Sequence, residues 1–220
     1  YGVKKEAYGK ALEKGKYCEE DGITMLQKAI YPDSLVLKNK ERKSNDFIHG
    51  EWDTVKDGIV YDIKNAYDLF SFGKADLTHD YKWQLIGYMW LLDINKGRLF
   101  YCLNNMPEHI LIQEERSLFY KNPSKYLTFE SPEYLADCQT LREAHNYDYM
   151  QIWERFKVWD VNLLEDEILT LKQSIKKARE YMNELYEEHL IRIESNKTLC
   201  NSILLAHHDP DLQTTIIETL

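Results

Sequence analysis

The sequence predicts an α/β (α+β) domain, a mixed central sheet flanked by helices, carrying a long C-terminal helix. Three observations predict it. IHGEWDTV turns at Asp57-Gly58 into GIVYDIKNA, the pattern of a hairpin. Helix-like stretches flank that hairpin, LEKGKYCEEDGITMLQKAI before it and YKWQLIGYMWLL after it. From Asn162 onward, Leu164, Ile168, Leu171, Ile175, Ala178, Met182 and Leu185 recur at alternating spacings of four and three, the stripe of an amphipathic helix.

The first helix is read as one unit, with Ile23, Leu26, Gln27 and Ile30 at helical spacing. Residues 31–46, polar and interrupted by Pro32, read as a loop or ragged strand. In the second strand of the hairpin, Ile59, Tyr61 and Ile63 alternate with Val60, Asp62 and Lys64. Successive strand side chains point to opposite faces, so Asp62 and Lys64 share one face and the bulky apolar residues take the other. Residues 67–80 read as a loop, and residues 117–135, with Pro123 and Pro132, as an irregular segment. Asn162 and Glu165 resemble a capping box for the last helix, which runs to about Leu190 or beyond. The tail from His207, broken at Pro210, reads as a separate short element. We divide the chain into a core, 1–160, and a helical extension, 161–220, packed on the core or serving an interface in a homo-oligomer.

At 220 residues the chain fits one domain with an extension, enough to bury roughly 70 % of its unfolded surface. Hydrophobic content of 44% and charged content of 30% fit a folded globular chain and exclude a disordered one. No apolar run approaches the roughly 20 residues of a membrane span, so no membrane partner is expected. Four scattered cysteines (Cys18, Cys102, Cys138 and Cys200) and no signal-peptide pattern over residues 1–5 lead to an expectation of a cytoplasmic location. The net charge of −9 argues against nonspecific coating of nucleic acid. Two local basic clusters remain to line a cleft: Lys4, Lys5, Lys10, Lys14 and Lys16, then Lys38, Lys40, Arg42 and Lys43.

Chemistry concentrates between Ile48 and Tyr88. Asp53 lies nine positions before Asp62, and hairpin pairing brings the two together. Carboxylates at that distance repel unless a cation sits between them. Mg²⁺ suits the position, since it takes carboxylate and water oxygens and is often shared with a substrate phosphate. Lys64 beside a metal-bound water orients it, helps deprotonate it or steadies charge on the attacked phosphate, which implies phosphodiester hydrolysis. Gln84 and Tyr88 stand four apart on a helix and point together, suited to a phosphate oxygen, a base or a metal-bound water. Glu19 is favoured as a further acid at the metal, with Glu20 and Asp21 open in its place. His49 and His79 read as surface or packing residues, and His207-His208-Asp209 as a solvated tail.

Gly15 to Glu19 (Gly-x-x-x-Glu), Gly50 to Asp53 (Gly-x-x-Asp), Asp62 to Lys64 (Asp-x-Lys) and Gln84 to Tyr88 (Gln-x-x-x-Tyr), followed by RLFYCLNNMP at Arg98 to Pro107, resemble the PD-(D/E)xK nuclease superfamily. The likeness is to its phage-type exonucleases of the YqaJ and lambda-exonuclease kind and to RecB-like nucleases. It covers the first half of the chain by motif; no one motif is specific, but four in order are hard to obtain by chance. The resemblance implies a restriction-endonuclease-like core with a sheet of about five strands. It implies a deoxyribonuclease using Mg²⁺ or Mn²⁺ held by Asp53, Asp62 and Glu19 with the carbonyl of Ile63. Lys64 is then catalytic, and Gln84 and Tyr88 bind the substrate strand. The implied partner is DNA: linear duplex degraded from an end in phage or mobile-element recombination, leaving a single strand for an annealing protein. An endonuclease of the same fold and a catalytically silent binding module are the alternatives. The chain departs from relatives at two points. Without Cys-x-x-Cys no iron–sulfur cluster is expected. The pocket for a 5′ phosphate has no clear counterpart beyond Lys14 and Lys16.

Overall fold

The computed structural model describes the backbone of residues 9–208 and the side chains of residues 9–202. Lys4, Lys5 and the tail beyond His208 lie outside the described residues. The chain forms two compact units, Tyr1–Glu167 and Ile168–Leu220. In the first, helices α1 (Lys10–Tyr17) and α2 (Glu19–Ile30) precede a two-stranded ribbon, β1 (Lys43–Ser44) against β2 (His49–Gly50). Strands β3 (Thr54–Lys56) and β4 (Ile59–Asn65) follow, then α3 (Leu69–Gly73), α4 (His79–Leu92), β5 (Lys96–Cys102), α5 (Glu108–Lys121), α6 (Pro132–Ala144) and β6 (Phe156–Asn162). Helix α7 (Glu165–His208) begins at the end of the first unit and makes up the described part of the second.

The sheet has the order β3-β4-β5-β6. The β3–β4 and β5–β6 pairs are antiparallel and β4–β5 is parallel, so the sheet is mixed. A two-residue loop joins β3 to β4, with Asp57 at φ 52 and Gly58 at φ 74. Two left-handed residues make the turn whose twist matches the paired strands. The parallel step from β4 to β5 needs a crossover, which α3 and α4 supply. A reciprocal Asp68–Ser71 capping box starts α3, and the Thr78 hydroxyl accepts from the Tyr81 N–H at the start of α4.

Both faces of the sheet are covered. On one, Ile23, Met25 and Leu26 of α2 pack with Tyr61, Ile63, Phe100 and Cys102. On the other, α4 brings Leu85 and Met89 down onto Gly97 of β5, where an added Cβ would stand 3.1 Å from the Met89 sulfur. Leu85, Ile86, Met89 and Leu99 are fully buried, each stabilising the fold by about 1.5–3 kcal/mol. Covered on both faces, paired with β5 over Val60–Asn65 and with β3 over Ile59–Tyr61, β4 buries Val60, Tyr61, Asp62 and Ile63 in succession.

The structure corrects several expectations. The first helix is two, broken at Cys18. The upstream arm of the hairpin is not continuous: His49–Gly50 pairs with β1, and only Thr54–Lys56 pairs with β4. Asp53 stands just outside both strands, free of ladder pairing, and so its side chain can reach across. The main sheet has four strands where about five were implied. The loop at 67–80 contains α3, held by its capping box. The irregular segment at 117–135 spans the end of α5 and the start of α6, where Phe119, Tyr126, Phe129 and Tyr134 pack ring on ring. Helix α7 starts without Asn162 as its cap; the Leu164 N–H donates to Glu167 Oε2 instead.

Helix α2 comes closest to the sheet at Gly22, where an added Cβ would stand 2.7 Å from Ile63 Cγ2. A branched methyl on a buried central strand has nowhere to move. Gly22→Ala is therefore expected to destabilise the fold by about 1–3 kcal/mol, measured as a lower urea midpoint with unchanged slope.

Candidate active site

One cavity of about 640 Å³ opens between α1, the start of α2, the β4 end of the sheet and α4. Glu19, Asp53, Asp62, Ile63, Lys64, Gln84 and Tyr88 all line it. Four motifs that are far apart in the chain thus meet at one place.

The carboxylate pair is set by the hairpin. The register Thr54↔Tyr61 puts Asp53 opposite Asp62, one step past the paired residues. Asp53 Oδ2 accepts a short hydrogen bond from the Ile63 backbone N–H. A strand residue directs its N–H and C=O to the same side, so the Ile63 carbonyl faces the same edge. Asp62 is 2% exposed. Lys64 Nζ lies 2.8 Å from both Asp62 oxygens, but only Oδ1 accepts a directional hydrogen bond. Asp62 Oδ2 is buried with no hydrogen-bond partner.

Burial and the neighbouring Asp62 charge push the Asp53 carboxyl up to about 7, against the Ile63 N–H and the Lys64 charge. Burial also raises Asp62, against the pull of Lys64. Burial works to lower Lys64, but the charge and hydrogen bond of Asp62 outweigh it and hold the ammonium above its ordinary range. A buried carboxylate, Asp62, and a half-buried one, Asp53, have one ammonium beside them, paired with Asp62, an arrangement short of positive charge. The orphaned Asp62 oxygen and the raised Asp53 carboxyl fit a divalent cation of the oxygen-binding kind.

Glu19 stands at the first position of α2 and is bonded to Lys38 at 2.9 Å. Among the described residues no three His, Cys, Asp or Glu side chains gather as a metal cage. A cation at Asp53 and Asp62 would draw its other ligands from backbone oxygen, water and phosphate, as Mg²⁺ commonly does.

Gln84 Nε2 donates to the Tyr88 hydroxyl at 2.8 Å. Burial raises the Tyr88 hydroxyl above its usual range. The Tyr88 ring rests on Gly50, where an added Cβ would stand 2.9 Å from Cε1. That contact gives the glycine of Gly-x-x-Asp a steric reason. Gly15 has the opposite character: it lines the cavity, and an added Cβ would meet nothing within 4 Å. Of the basic clusters, Lys16 lines the cavity, Lys10 pairs with Glu114, and Lys40, Arg42 and Lys43 are exposed. Lys14 is buried and faces protein carbonyls, so it is not available to a phosphate.

Sequence reasoning missed Tyr67, Ser71, Tyr81 and Tyr101, which also line the cavity. Lys64 Nζ sits 5.4 Å from the centre of the Tyr81 ring. Tyr81 carried a legible signal, since positions 81, 84 and 88 share one helical face. Tyr101 is the register partner of Lys64 on β5, a pairing that no local pattern shows. Tyr67 and Ser71 sit in the stretch 67–80, read as an aromatic-containing loop placed to touch substrate, with neither residue singled out.

No protein-family model matches the chain, and no curated protein sequence matches it. Solved structures do. A phage-related exonuclease from Haemophilus somnus 129PT matches over 86% of this chain and 77% of its own, with a TM-score of 0.64 and 19% sequence identity. The alkaline exonuclease LHK-Exo of Laribacter hongkongensis matches over 83% of this chain and 77% of its own, at a TM-score of 0.44 and 10% identity, too low a score to argue from. The chain thus has the fold of a phage-related exonuclease, and the resemblance read from four short motifs holds at the level of fold. Among the described residues no helix is long and apolar enough to cross a membrane.

The carboxylate pair predicts a pH signature. Asp53 keeps its proton to about pH 7 when folded but loses it near pH 4 when unfolded. The stability it brings is full below about pH 4 and is lost as pH rises through about 7. In chelator, the urea midpoint of the wild type should fall between about pH 5 and pH 8, and the fall should be much smaller in Asp53→Asn. Millimolar Mg²⁺ should restore the wild-type midpoint at the upper pH. A wild-type profile as flat as that of the variant would refute the account of the pair.

Proposed function

We propose that this protein is a Mg²⁺- or Mn²⁺-dependent deoxyribonuclease, an exonuclease that degrades linear duplex DNA. The observation that carries the reading is the convergence of Glu19, Asp53, Asp62, Lys64, Gln84 and Tyr88 on one cavity. The fold it shares with a phage-related exonuclease supports it.

In this reading Asp53 and Asp62 hold the cation, with the Ile63 carbonyl on the same edge and Glu19 at the rim. The bound cation supplies a water of lowered pKa and neutralises charge on the attacked phosphodiester. Lys64, paired with Asp62, stands beside that water and the attacked phosphate. Its Nζ orients the attacking water or steadies a phosphate oxygen as negative charge grows. The Gln84 amide and Tyr88 hydroxyl, already bonded to each other, hold the strand to be cut. Lys16 adds positive charge to the cavity of a chain that is acidic overall, while Lys38 pairs with Glu19. Cleavage from an end, within phage or mobile-element recombination, leaves a single strand for an annealing protein to take up. The helical extension over 161–220, through the α7 stripe, serves packing on the core or a homo-oligomer interface.

The experiment compares linear and covalently closed duplex DNA with Mg²⁺ or Mn²⁺, using wild type and Lys64→Ala. Loss of linear DNA alone is expected, with the variant slowed at least about 100-fold. Cutting of the closed circle would overturn the exonuclease in favour of an endonuclease. No cutting of either substrate with either metal would leave a binding module of the same fold.

A further inference from the structure

Helix α1 carries one polar group that none of these roles employs. Lys14 is fully buried, at 0% exposure. Its Nζ donates to the carbonyl oxygens of Asn104 at 2.6 Å and Tyr67 at 3.1 Å, and lies 5.8 Å from the centre of the Tyr147 ring. Among the described residues no carboxylate forms an ion pair with it. Burial lowers its pKa to about 8, with Cys18 and Asp68 working against the fall and Arg155 with it, so it remains charged at neutral pH. An ammonium taken out of water with only carbonyls as partners costs stability. Methionine has a similar length and lacks that cost.

The same nitrogen heads a hydrogen-bond chain. Asn104 Nδ2 donates to Asn65 Oδ1 at 2.7 Å, and Asn65 Nδ2 donates to the Cys18 carbonyl at 3.1 Å. Asn65 ends β4, directly after Lys64. Cys18 is the break between α1 and α2, directly before Glu19. The chain therefore leaves α1 through Lys14, crosses the end of β5 and the end of β4, and returns to the joint from which Glu19 projects. Lys14 also holds Tyr67, a cavity residue, by its carbonyl.

We propose that Lys14 is a positioning residue: through Asn104 and Asn65 it fixes the start of α2, and with it Glu19, against the strand end that carries Asp62 and Lys64. The proposal rests on the nuclease reading above for what is being positioned. It explains why a costly buried ammonium sits where an apolar side chain would fit. Loosening the joint moves Glu19 and Tyr67 relative to Asp53 and Asp62 without dismantling the core, which is packed elsewhere by α2 and α4.

The test uses Lys14→Met, Asn104→Ala (which keeps the carbonyl that accepts from Lys14) and the double variant. Each is measured by thermal unfolding, by Mn²⁺ affinity in titration calorimetry, and by turnover on linear duplex DNA. Lys14→Met is expected to unfold close to the wild-type temperature, since it removes a buried charge but leaves the Asn104 and Tyr67 carbonyls without their donor. It should bind Mn²⁺ about tenfold more weakly, with kcat lowered and KM nearly unchanged. Asn104→Ala should do the same to a smaller extent. The double variant should be no worse than Lys14→Met, because both changes break one chain. Wild-type Mn²⁺ affinity in Lys14→Met would overturn the proposal. So would a loss of affinity matched by a lower unfolding temperature in Lys14→Met and absent from Asn104→Ala, which marks a packing role. If the wild type cuts no DNA, the nuclease reading fails, and the Mn²⁺ affinities alone decide this proposal.

Discussion

Two carboxylates held together, Asp62 buried and Asp53 half-buried, are the constraint on which this site turns. The hairpin leaves them no alternative: its two-residue turn sets the register, and the register sets Asp53 against Asp62. In water such a pair separates at little cost. Here Asp62 is on a strand covered on both faces, and Asp53 is fixed by the Ile63 N–H. One ammonium, Lys64, cannot neutralise both. The strain shows in the direction of both carboxyl shifts and in an oxygen that accepts no hydrogen bond. A divalent cation would relieve all three at once, and in the proposed reading a phosphate brought to it would meet Lys64, Gln84 and Tyr88.

The rest of the fold serves to bring side chains to that pair without backbone interference. Two glycines act by absence. At Gly22 the helix that begins with Glu19 comes down onto Ile63, and at Gly50 the ribbon leaves room for the Tyr88 ring. A methyl at either position displaces an element that carries a cavity residue. The buried Lys14 chain ties the same elements together by hydrogen bonds. The Gly22 contact and, in the proposal above, the buried ammonium act on one distance, that between the start of α2 and the end of β4; the Gly50 contact acts on the approach of α4 to the ribbon.

Much of this was legible in the sequence because local rules governed it. Asp57-Gly58 marked the hairpin, strand alternation put Asp62 beside Lys64, and spacing of four put Gln84 beside Tyr88. Other parts were not legible, for physical reasons. The break at Cys18 lies inside a stretch with unbroken helix-compatible residues, and only the tertiary hold of Asn65 on the Cys18 carbonyl shows why the chain bends there. Lys14 read as a cleft-lining base and candidate phosphate contact because lysine is seldom buried. Tyr101 reached the cavity through parallel pairing with a strand some 37 residues away, which no local pattern reveals. The aromatic cluster between α5 and α6 was hidden by proline and polar residues, although ring packing holds it together.

The central claim is that Asp53 and Asp62 are kept together for a cation. Crystals soaked in Mn²⁺ and measured at the manganese absorption edge test it directly. The account predicts an anomalous peak within about 2.1–2.3 Å of an oxygen from each carboxylate, lost in Asp53→Asn. A well-ordered site with no peak, or a peak bound elsewhere with the two carboxylates unchanged, would contradict it.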